Sequence, residues 1–489
     1  MTNDEKELAA AGELSDLLDS LGEGLDSYLR FEDEDAMQNP GQWQQALRKG
    51  LPITGIGVQN VVDEIKRHVL PNASAVPKPG FSSFITTGAV TSAVLATLSG
   101  AVASPQRYGL TAFNFLEELS LDWLVQLLGL PEEMKGVYSS GGSVANIVAL
   151  GAARQCAFER IGIDPSLDGM QLPSRIYASA ACHHTIHRAA AVLGMGRASV
   201  IPIAVDAKGR MNPDALRKQI DIDANDSNSV KVAIVANAGS TDTGAVDPLS
   251  EIGAIAKKHN IWFHIDGAYG LPGVLDPNCS GLYSGVALAN SVSIDPHKWL
   301  GAPVGIGATF VRDRDILHRA FTQETAHYLE GAFSDDEAQN SMDRLGIPYA
   351  DFGLELSAPS RGVVVWALIR EIGKHGLAQR VIRHNGMAKH IAERAKQHEH
   401  LELLLEPTLS ICCFRFNHPN ILDLDDFNRR IHRQLVHNGQ NIPSTTMVHD
   451  CLVIRPCFVG ARAEWHHADD LVDEVLDIGN ALLTNSNWL

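Results

Sequence analysis

An α/β fold built on a mainly parallel sheet is predicted by three features of this sequence. From Gly136 to about Val311, short apolar runs alternate with Gly-rich or polar loops and helix-patterned stretches. That order wraps a parallel sheet in helices on both faces. The residue types best suited to catalysis fall just past the ends of those runs, where ligands of such sheets bind. Beyond Tyr349 the pattern changes to long helices and then to mixed strands and helices, which gives a small C-terminal α+β domain.

Along the chain, residues 5–30 set Leu8, Leu14, Leu17, Leu18, Leu21 and Leu25 at helical spacing among acids, an apolar stripe that needs a surface to cover. The acidic Phe31-Glu32-Asp33-Glu34-Asp35 reads as a solvated linker. Prolines punctuate 71–79, a loop. Phe115, Leu116, Leu119, Trp123 and Leu127 at three and four spacing predict a core helix over 112–130. Seven strands are expected at 135–138, 175–178, 199–203, 230–236, 261–265, 291–294 and 306–311. Helices follow at 361–372 and 378–398, then strands at 401–406, 410–416 and 451–456 with helices at 425–438 and 468–483. The expected divisions are a helical N-terminal segment over 1–80, a large domain over 81–380 and the small domain over 381–489.

Bulk properties narrow the function classes. A chain of 489 residues can bury one large core and a smaller companion. The formal charge of −18 argues against a nucleic-acid partner, which needs a clustered basic surface. Much of that charge is local, with twelve acidic residues in 1–36 against Lys6 and Arg30. The N-terminus has no basic, then apolar, secretory pattern, and no stretch approaches the roughly 18 apolar residues of a membrane span. Seven cysteines, an odd number without CxxC spacing, read as thiols in a reducing cytoplasm. His183 and His187 have helical i, i+4 spacing, but no second cluster of soft ligands accompanies them, so no metal site is expected.

Chemistry concentrates in three stretches. Ser293-Ile294-Asp295-Pro296-His297-Lys298-Trp299-Leu300 sets a lysine directly after a histidine where a strand-like run breaks. A lone lysine beside a turn is ordinarily a surface charge; in this company it has the setting of an amine nucleophile. Ile261-Trp262-Phe263-His264-Ile265-Asp266-Gly267-Ala268-Tyr269 is an apolar strand ending in an acid, whose buried carboxylate calls for a cation. Gly136-Val137-Tyr138-Ser139-Ser140-Gly141-Gly142-Ser143 runs a strand through small residues into a helical pattern, which suits a phosphate at a helix N-terminus. Amine, buried acid and phosphate cradle are together the requirements of pyridoxal phosphate.

These motifs resemble those of the group II pyridoxal-phosphate-dependent amino-acid decarboxylases, which include the aromatic-amino-acid, histidine, glutamate and cysteine-sulfinate enzymes. The similarity runs from about residue 75 to about residue 385, with a looser tail. Its specific part is Asp295-Pro296-His297-Lys298-Trp299 after Asp266-Gly267-Ala268-Tyr269. The resemblance implies the fold of the type I pyridoxal-phosphate enzymes with a seven-stranded sheet, pyridoxal 5'-phosphate as cofactor, and an amino acid as substrate. It also implies a homodimer in which the N-terminal segment packs on the partner subunit; packing of that stripe on its own domain is the equal alternative.

By the same resemblance, Lys298 joins the cofactor aldehyde as a Schiff base, and Asp266 faces the pyridine nitrogen and keeps it protonated. Only a protonated ring withdraws electrons strongly from Cα. His183, in Ala181-Cys182-His183-His184-Thr185, matches the family histidine that stacks on the other ring face. Ala268 packs its methyl on the ring, Thr241 lies beside the cofactor, and Gly142, Ser143 and His297 hold the phosphate. Tyr328, in Ala326-His327-Tyr328-Leu329, matches the tyrosine of a loop that closes over the site and delivers a proton to Cα once carbon dioxide leaves. Relatives that make aldehydes carry Phe at that tyrosine or Asn at that histidine, so Tyr328 and His183 favour decarboxylation to an amine.

Arg361 and Arg455 fall where relatives place arginines, and either pairs with a carboxylate or ties the domains together. Lys78-Pro79 and Ile85 depart from the family's common His-Pro and Pro at the substrate mouth. An aromatic amino acid is the preferred substrate, on Phe81, Phe84 and Ile85, with an acidic one (glutamate, aspartate or cysteine sulfinate) as runner-up. An aldehyde synthase on the same cofactor is one rival. The other, a non-catalytic cofactor-binding scaffold, is disfavoured by the presence of Lys298, Asp266, His183 and Tyr328 together.

Overall fold

The computed structural model describes residues 12–32, 40–48, 50–105, 107, 111–226, 228–322 and 346–485. Its strands are β1 Phe81–Ser82, β2 Lys135–Ser139, β3 Ser174–Ser179, β4 Val200–Ile203, β5 Val230–Asn237, β6 Trp262–Asp266, β7 Ser291–Ile294, β8 Gly307–Val311, β9 Leu401–Leu405, β10 Cys413–Phe416, β11 Ile442–Val448 and β12 Cys451–Arg455. The helices are α1 Glu13–Tyr28, α2 Pro40–Leu47, α3 Val58–Glu64, α4 Thr91–Ala103, α5 Ala112–Leu128, α6 Gly142–Glu159, α7 Thr185–Val192, α8 Pro213–Ile222, α9 Leu249–His259, α10 Asp315–Phe321, α11 Arg361–Gln397, α12 Leu424–Asn438 and α13 His466–Asn485.

Seven strands form the large sheet in the order β2-β8-β7-β6-β5-β3-β4. β7, β6, β5, β3 and β4 pair in parallel, and β8 is antiparallel to both its neighbours. The alternation of strand and helix in the sequence explains the parallel part. β8 follows β7 without a crossover helix, so it can only return antiparallel. Along β5 nearly every side chain is buried, as expected of a parallel strand covered on both faces. Such a sheet gathers the C-terminal ends of β5, β6 and β7 side by side, with Asn237 opposite Asp266 and Asp266 opposite Ser293.

Local chemistry sets the element ends. The Thr111 side chain accepts the Asn114 N–H, and Gly129 closes α5 in the left-handed region, so the helix stops at Leu128 rather than at 130. The two helices expected over 361–372 and 378–398 are both present within α11, which breaks at Gly373 (φ 70°, ψ 165°), so the second begins a few residues earlier than expected. His183 and His187 do not share a helix, because α7 begins at Thr185.

The small C-terminal sheet has the order β1-β11-β12-β10-β9. Two of its members were not anticipated. β11 carries polar Ser444, Thr445 and Thr446 where an apolar run would have marked it, and β1, in the mouth segment, joins it in parallel with Phe81 opposite Ile442. β10 starts at Cys413 rather than at 410; Ile411 instead makes a lone bridge to Cys457. Among the described residues no helix is long and apolar enough to cross a membrane.

Candidate active site

The cradle comes first in the chain. β2 passes through Ser140 and Gly141 into α6, and Gly141 has φ 135°, which glycine alone adopts without strain. A Cβ on Gly142 would lie 2.7 Å from Asp295 Oδ2, so the turn is packed as closely as bare backbone allows. The helix N-terminus that opens at Gly142 and Ser143 lines a cavity of about 440 Å3.

β6 carries Asp266 to the same place. Its Oδ1 accepts the Ser293 hydroxyl and the Ala268 N–H, each at 3.1 Å, and its Oδ2 accepts Asn146 Nδ2–H at 2.9 Å. Burial pushes this carboxyl up, but His264, the Lys298 ammonium, the Asn146 amide and the Ala268 N–H outweigh it and hold it below the usual carboxylate range. Asp266 is thus a buried anion beside a cavity, the arrangement that stabilises a ligand cation.

Lys298 sits on the turn after β7. Its N–H donates to the Asp295 carbonyl at 2.9 Å, and its own carbonyl accepts from Gly301 at 3.2 Å. Lys298 Nζ lies 3.1 Å from Asp295 Oδ2. The next residue, Trp299, is fully buried, stacks on Tyr269 at 5.3 Å between ring centres, and donates its indole N–H to His384 Nδ1 at 2.9 Å. That anchor fixes the turn from below. His297 donates Nδ1–H to the Ile306 carbonyl at 2.7 Å, which leaves its Nε2 on the other edge, 3.8 Å from Asp295 Oδ2.

His183 is half-buried just before α7, with Nδ1 3.0 Å from Thr185 Oγ1. Burial, then His184 and Lys298, push its imidazole down, so it is neutral near pH 7. Thr241 follows β5, and its carbonyl accepts from the Arg455 guanidinium. Arg455 also donates to the Phe84 carbonyl at 2.7 Å and the Asp242 carbonyl at 3.2 Å, joining the small sheet to two walls of the cavity mouth. Arg361 is spent on both oxygens of Glu355, at 2.8 and 2.9 Å, and on the Gly305 carbonyl. Of the two roles open to these arginines, Arg361 pairs with a carboxylate and Arg455 ties backbone together.

Lys298, His183, Asp266, Ala268, Gly142, Ser143, Thr241 and His297 all line the one cavity. Tyr328 lies outside the described residues. Sequence reasoning passed over Asn146, His264 and Asp295. Two of these had a signal: Asn146 is one helical turn beyond Gly142 and shares its face, and His264 is two residues before Asp266 on one strand and shares its face. Asp295 had none, since its burial follows from the packing of Gly142 and Gly307 against it.

The donor set suits pyridoxal phosphate: an amine, a buried anion and a bare helix N-terminus around one cavity. Asn237 Nδ2, also on the wall, is buried with no hydrogen-bond partner among the described residues, a donor left for a ligand.

Comparison with known proteins agrees with this chemistry. Residues 40–417 match the pyridoxal-dependent decarboxylase conserved domain. The chain is 27% identical over 422 residues to an aromatic-L-amino-acid decarboxylase of Bacillus atrophaeus, covering 85% of this chain and 84% of the relative. It is 32% identical over 370 residues to an L-2,4-diaminobutyrate decarboxylase of Rhizobium meliloti (strain 1021), covering 75% and 70%. A crystal structure of Oryza sativa TDC with PLP and tryptamine superposes with a TM-score of 0.86 at 23% identity, over 98% of this chain and 99% of the other.

Proposed function

This chain belongs to the pyridoxal-dependent decarboxylase family and is a PLP-dependent amino-acid decarboxylase; from that premise we propose that it converts an aromatic L-amino acid to its amine and carbon dioxide. The cofactor, when bound, supplies the electron sink that accepts the pair left at Cα. Everything else is asked of the chain's own residues. Lys298 is the amine that holds the cofactor between turnovers and gives way to the substrate amine. Asp266 keeps the ring nitrogen protonated, because a buried ionised carboxylate favours the charged form of a neighbouring base. When the cofactor is bound, His183 and Ala268 would flank its ring, Thr241 would lie beside it, and Gly142, Ser143 and His297 would hold its phosphate, since all six line the one cavity. Tyr328 returns a proton to Cα.

The observation that carries the aromatic reading is the charge on the wall. Among the described lining residues, Lys298 is the sole Lys or Arg. Among the described residues an acidic side chain therefore meets no second Lys or Arg, whereas the mouth presents Phe84, 69% exposed, beside Ile85. The nearby Arg455 guanidinium is committed to carbonyls. Incubating the purified protein and cofactor with a panel of aromatic, acidic and diamino acids, and measuring carbon dioxide and amine, tests this. Amine from glutamate or 2,4-diaminobutyrate but not from tryptophan, tyrosine or phenylalanine would overturn the substrate. Aldehyde, ammonia and peroxide in place of amine would overturn the reaction.

The working unit we propose is a homodimer. On α4 the apolar Leu95 and Val102 are 58% and 62% exposed, Val304 nearby is 75% exposed, and α1 has no buried residue within its own chain. Faces of this kind ask for a covering surface. Sedimentation giving a monomer at working concentration would remove this proposal. The seven cysteines are all free, which suits a reducing cytoplasm.

A further inference from the structure

We propose that a buried, one-directional hydrogen-bond chain from Trp262 to His183 makes Asn146 and Thr185 positioning residues, which fix His183 as an Nε2–H donor and leave it no lone pair for general-base chemistry.

Both ends of the chain have only one possible polarity. The Trp262 indole N–H can only donate, and it does so to Ser291 Oγ at 2.8 Å. The ionised Asp266 can only accept, and it takes Asn146 Nδ2–H at 2.9 Å. Between these ends each proton has one place to go. Ser291 Oγ, occupied by the indole, turns its own proton to His264 Nδ1 at 2.9 Å. His264 then carries its proton on Nε2 and donates to Asn146 Oδ1 at 2.9 Å. Burial, which pushes the His264 imidazole down to about 4, keeps it singly protonated.

With its oxygen facing His264, Asn146 has a second amide hydrogen, and this reaches Thr185 Oγ1 at 3.2 Å. Thr185 Oγ1, already accepting from Asn146, lies 3.0 Å from His183 Nδ1 with its own proton free to donate there. The Thr185 backbone N–H faces the same nitrogen at 3.4 Å. Two donors on Nδ1 put the imidazole proton on Nε2. Trp262, Ser291, His264, Asn146 and Thr185 are all buried, so the direction of each bond is set by its protein partners.

Neutral His183 in this state can donate from Nε2 but cannot accept a proton there, and its other nitrogen is engaged. Asn146 serves both flanks, bracing Asp266 and orienting Thr185. The connection to the cofactor rests on the placement of Asp266 and His183 proposed above; the tautomer itself does not.

The test uses the full chain labelled with 15N-histidine, the His183 signals being assigned by their loss in His183→Asn. Wild type should show His183 Nδ1 in the unprotonated range and Nε2 in the protonated range. Thr185→Val, close to isosteric, removes the hydroxyl and should shift the tautomer ratio about fivefold toward Nδ1–H, the worth of one hydrogen bond. Thr185→Ser, which keeps the hydroxyl and loses a methyl, should restore the wild-type signals. A packing role gives the opposite order, with Val harmless and Ser impaired, and would overturn the proposal, as would a protonated Nδ1 in wild type. Equilibrium dialysis against pyridoxal phosphate on the same proteins separates the two readings. No binding by wild type would sink the cofactor assignment, while the tautomer result would still decide the network.

Discussion

The Asp295 carboxylate lies 3.1 Å from the Lys298 ammonium three residues later on the same turn, and its other oxygen is buried with no hydrogen-bond partner among the described residues. Asp295 is 2% exposed. The lysine that carries the proposed chemistry is thus the one Lys or Arg paired with this acid among the described residues.

Removing Lys298 should therefore cost stability as well as activity. Lys298→Ala is expected to abolish turnover and to destabilise the cofactor-free protein by about 3 kcal/mol, the effect of stranding one buried partner of an ion pair. Lys298→Ala/Asp295→Asn should regain most of that loss and none of the activity. Calorimetry of the two variants, together with borohydride reduction and peptide mapping of wild type, checks both halves; a pyridoxyl label on any residue but Lys298 would refute the assignment.

Asp266→Asn keeps the size of the side chain and removes the charge set against the ring nitrogen. Cofactor affinity should fall about 10- to 100-fold, the range for a hydrogen bond to a charged group. Equilibrium dialysis reads it, and an unchanged dissociation constant would show that Asp266 does not face the ring.

Asp247 gives a pH signature. It is fully buried, accepts the N–H groups of Met211 and Asn237 at 2.6 and 2.7 Å, and is pushed up to about 7 by burial. Its folded pKa stands above the unfolded value near 4, so the folded state binds the extra proton between those limits. The contribution is full below about pH 4 and is lost as the pH rises toward 7. Asp247→Asn should lower the melting temperature throughout, with the gap from wild type narrowing across that window. A gap that widens would reverse the sign of the argument.

Arg455→Lys leaves one ammonium to serve carbonyls of Phe84, Thr241 and Asp242 on two sides of the mouth, which a point charge cannot span. The expected outcome is a rise in KM of about tenfold for the loss of about one charged hydrogen bond, with a smaller change in kcat. Steady-state kinetics separates this from a direct catalytic role, which would lower kcat instead.

Tyr328→Phe removes the phenolic proton proposed to reach Cα. Amine formation should fall by about 10²- to 10⁴-fold, the range for a positioned acid, and aldehyde with ammonia and peroxide should become a larger share of product as oxygen is consumed. Product analysis under air and under nitrogen reads it; unchanged amine output would exclude Tyr328 as the donor.

How much of this was legible beforehand varied with the range of the interaction involved. Lys298, Asp266 and the Gly142-Ser143 cradle stand at strand ends or a helix start, and period and breaker residues reveal such positions from neighbours alone. β1 was missed because a two-residue edge acquires its pairing from β11, hundreds of positions away; β11 was missed because its half-exposed Ser444-Thr445-Thr446 centre lacks an apolar run, although its partner β12 follows it directly. Arg455 shows the same limit: its place near the site could be guessed, but not which three carbonyls it would hold.

The amino-acid order by itself determined the sheet's direction and the cofactor, and it picked out residues that line one cavity, because each depends on local pattern and on side-chain type. The tertiary structure alone decided that Asp295 would be buried against Lys298, and that Trp262, Ser291, His264, Asn146 and Thr185 would connect into one chain. Hydrogen-bond direction and burial depend on which distant strands and helices pack together, and no stretch of sequence contains that information by itself.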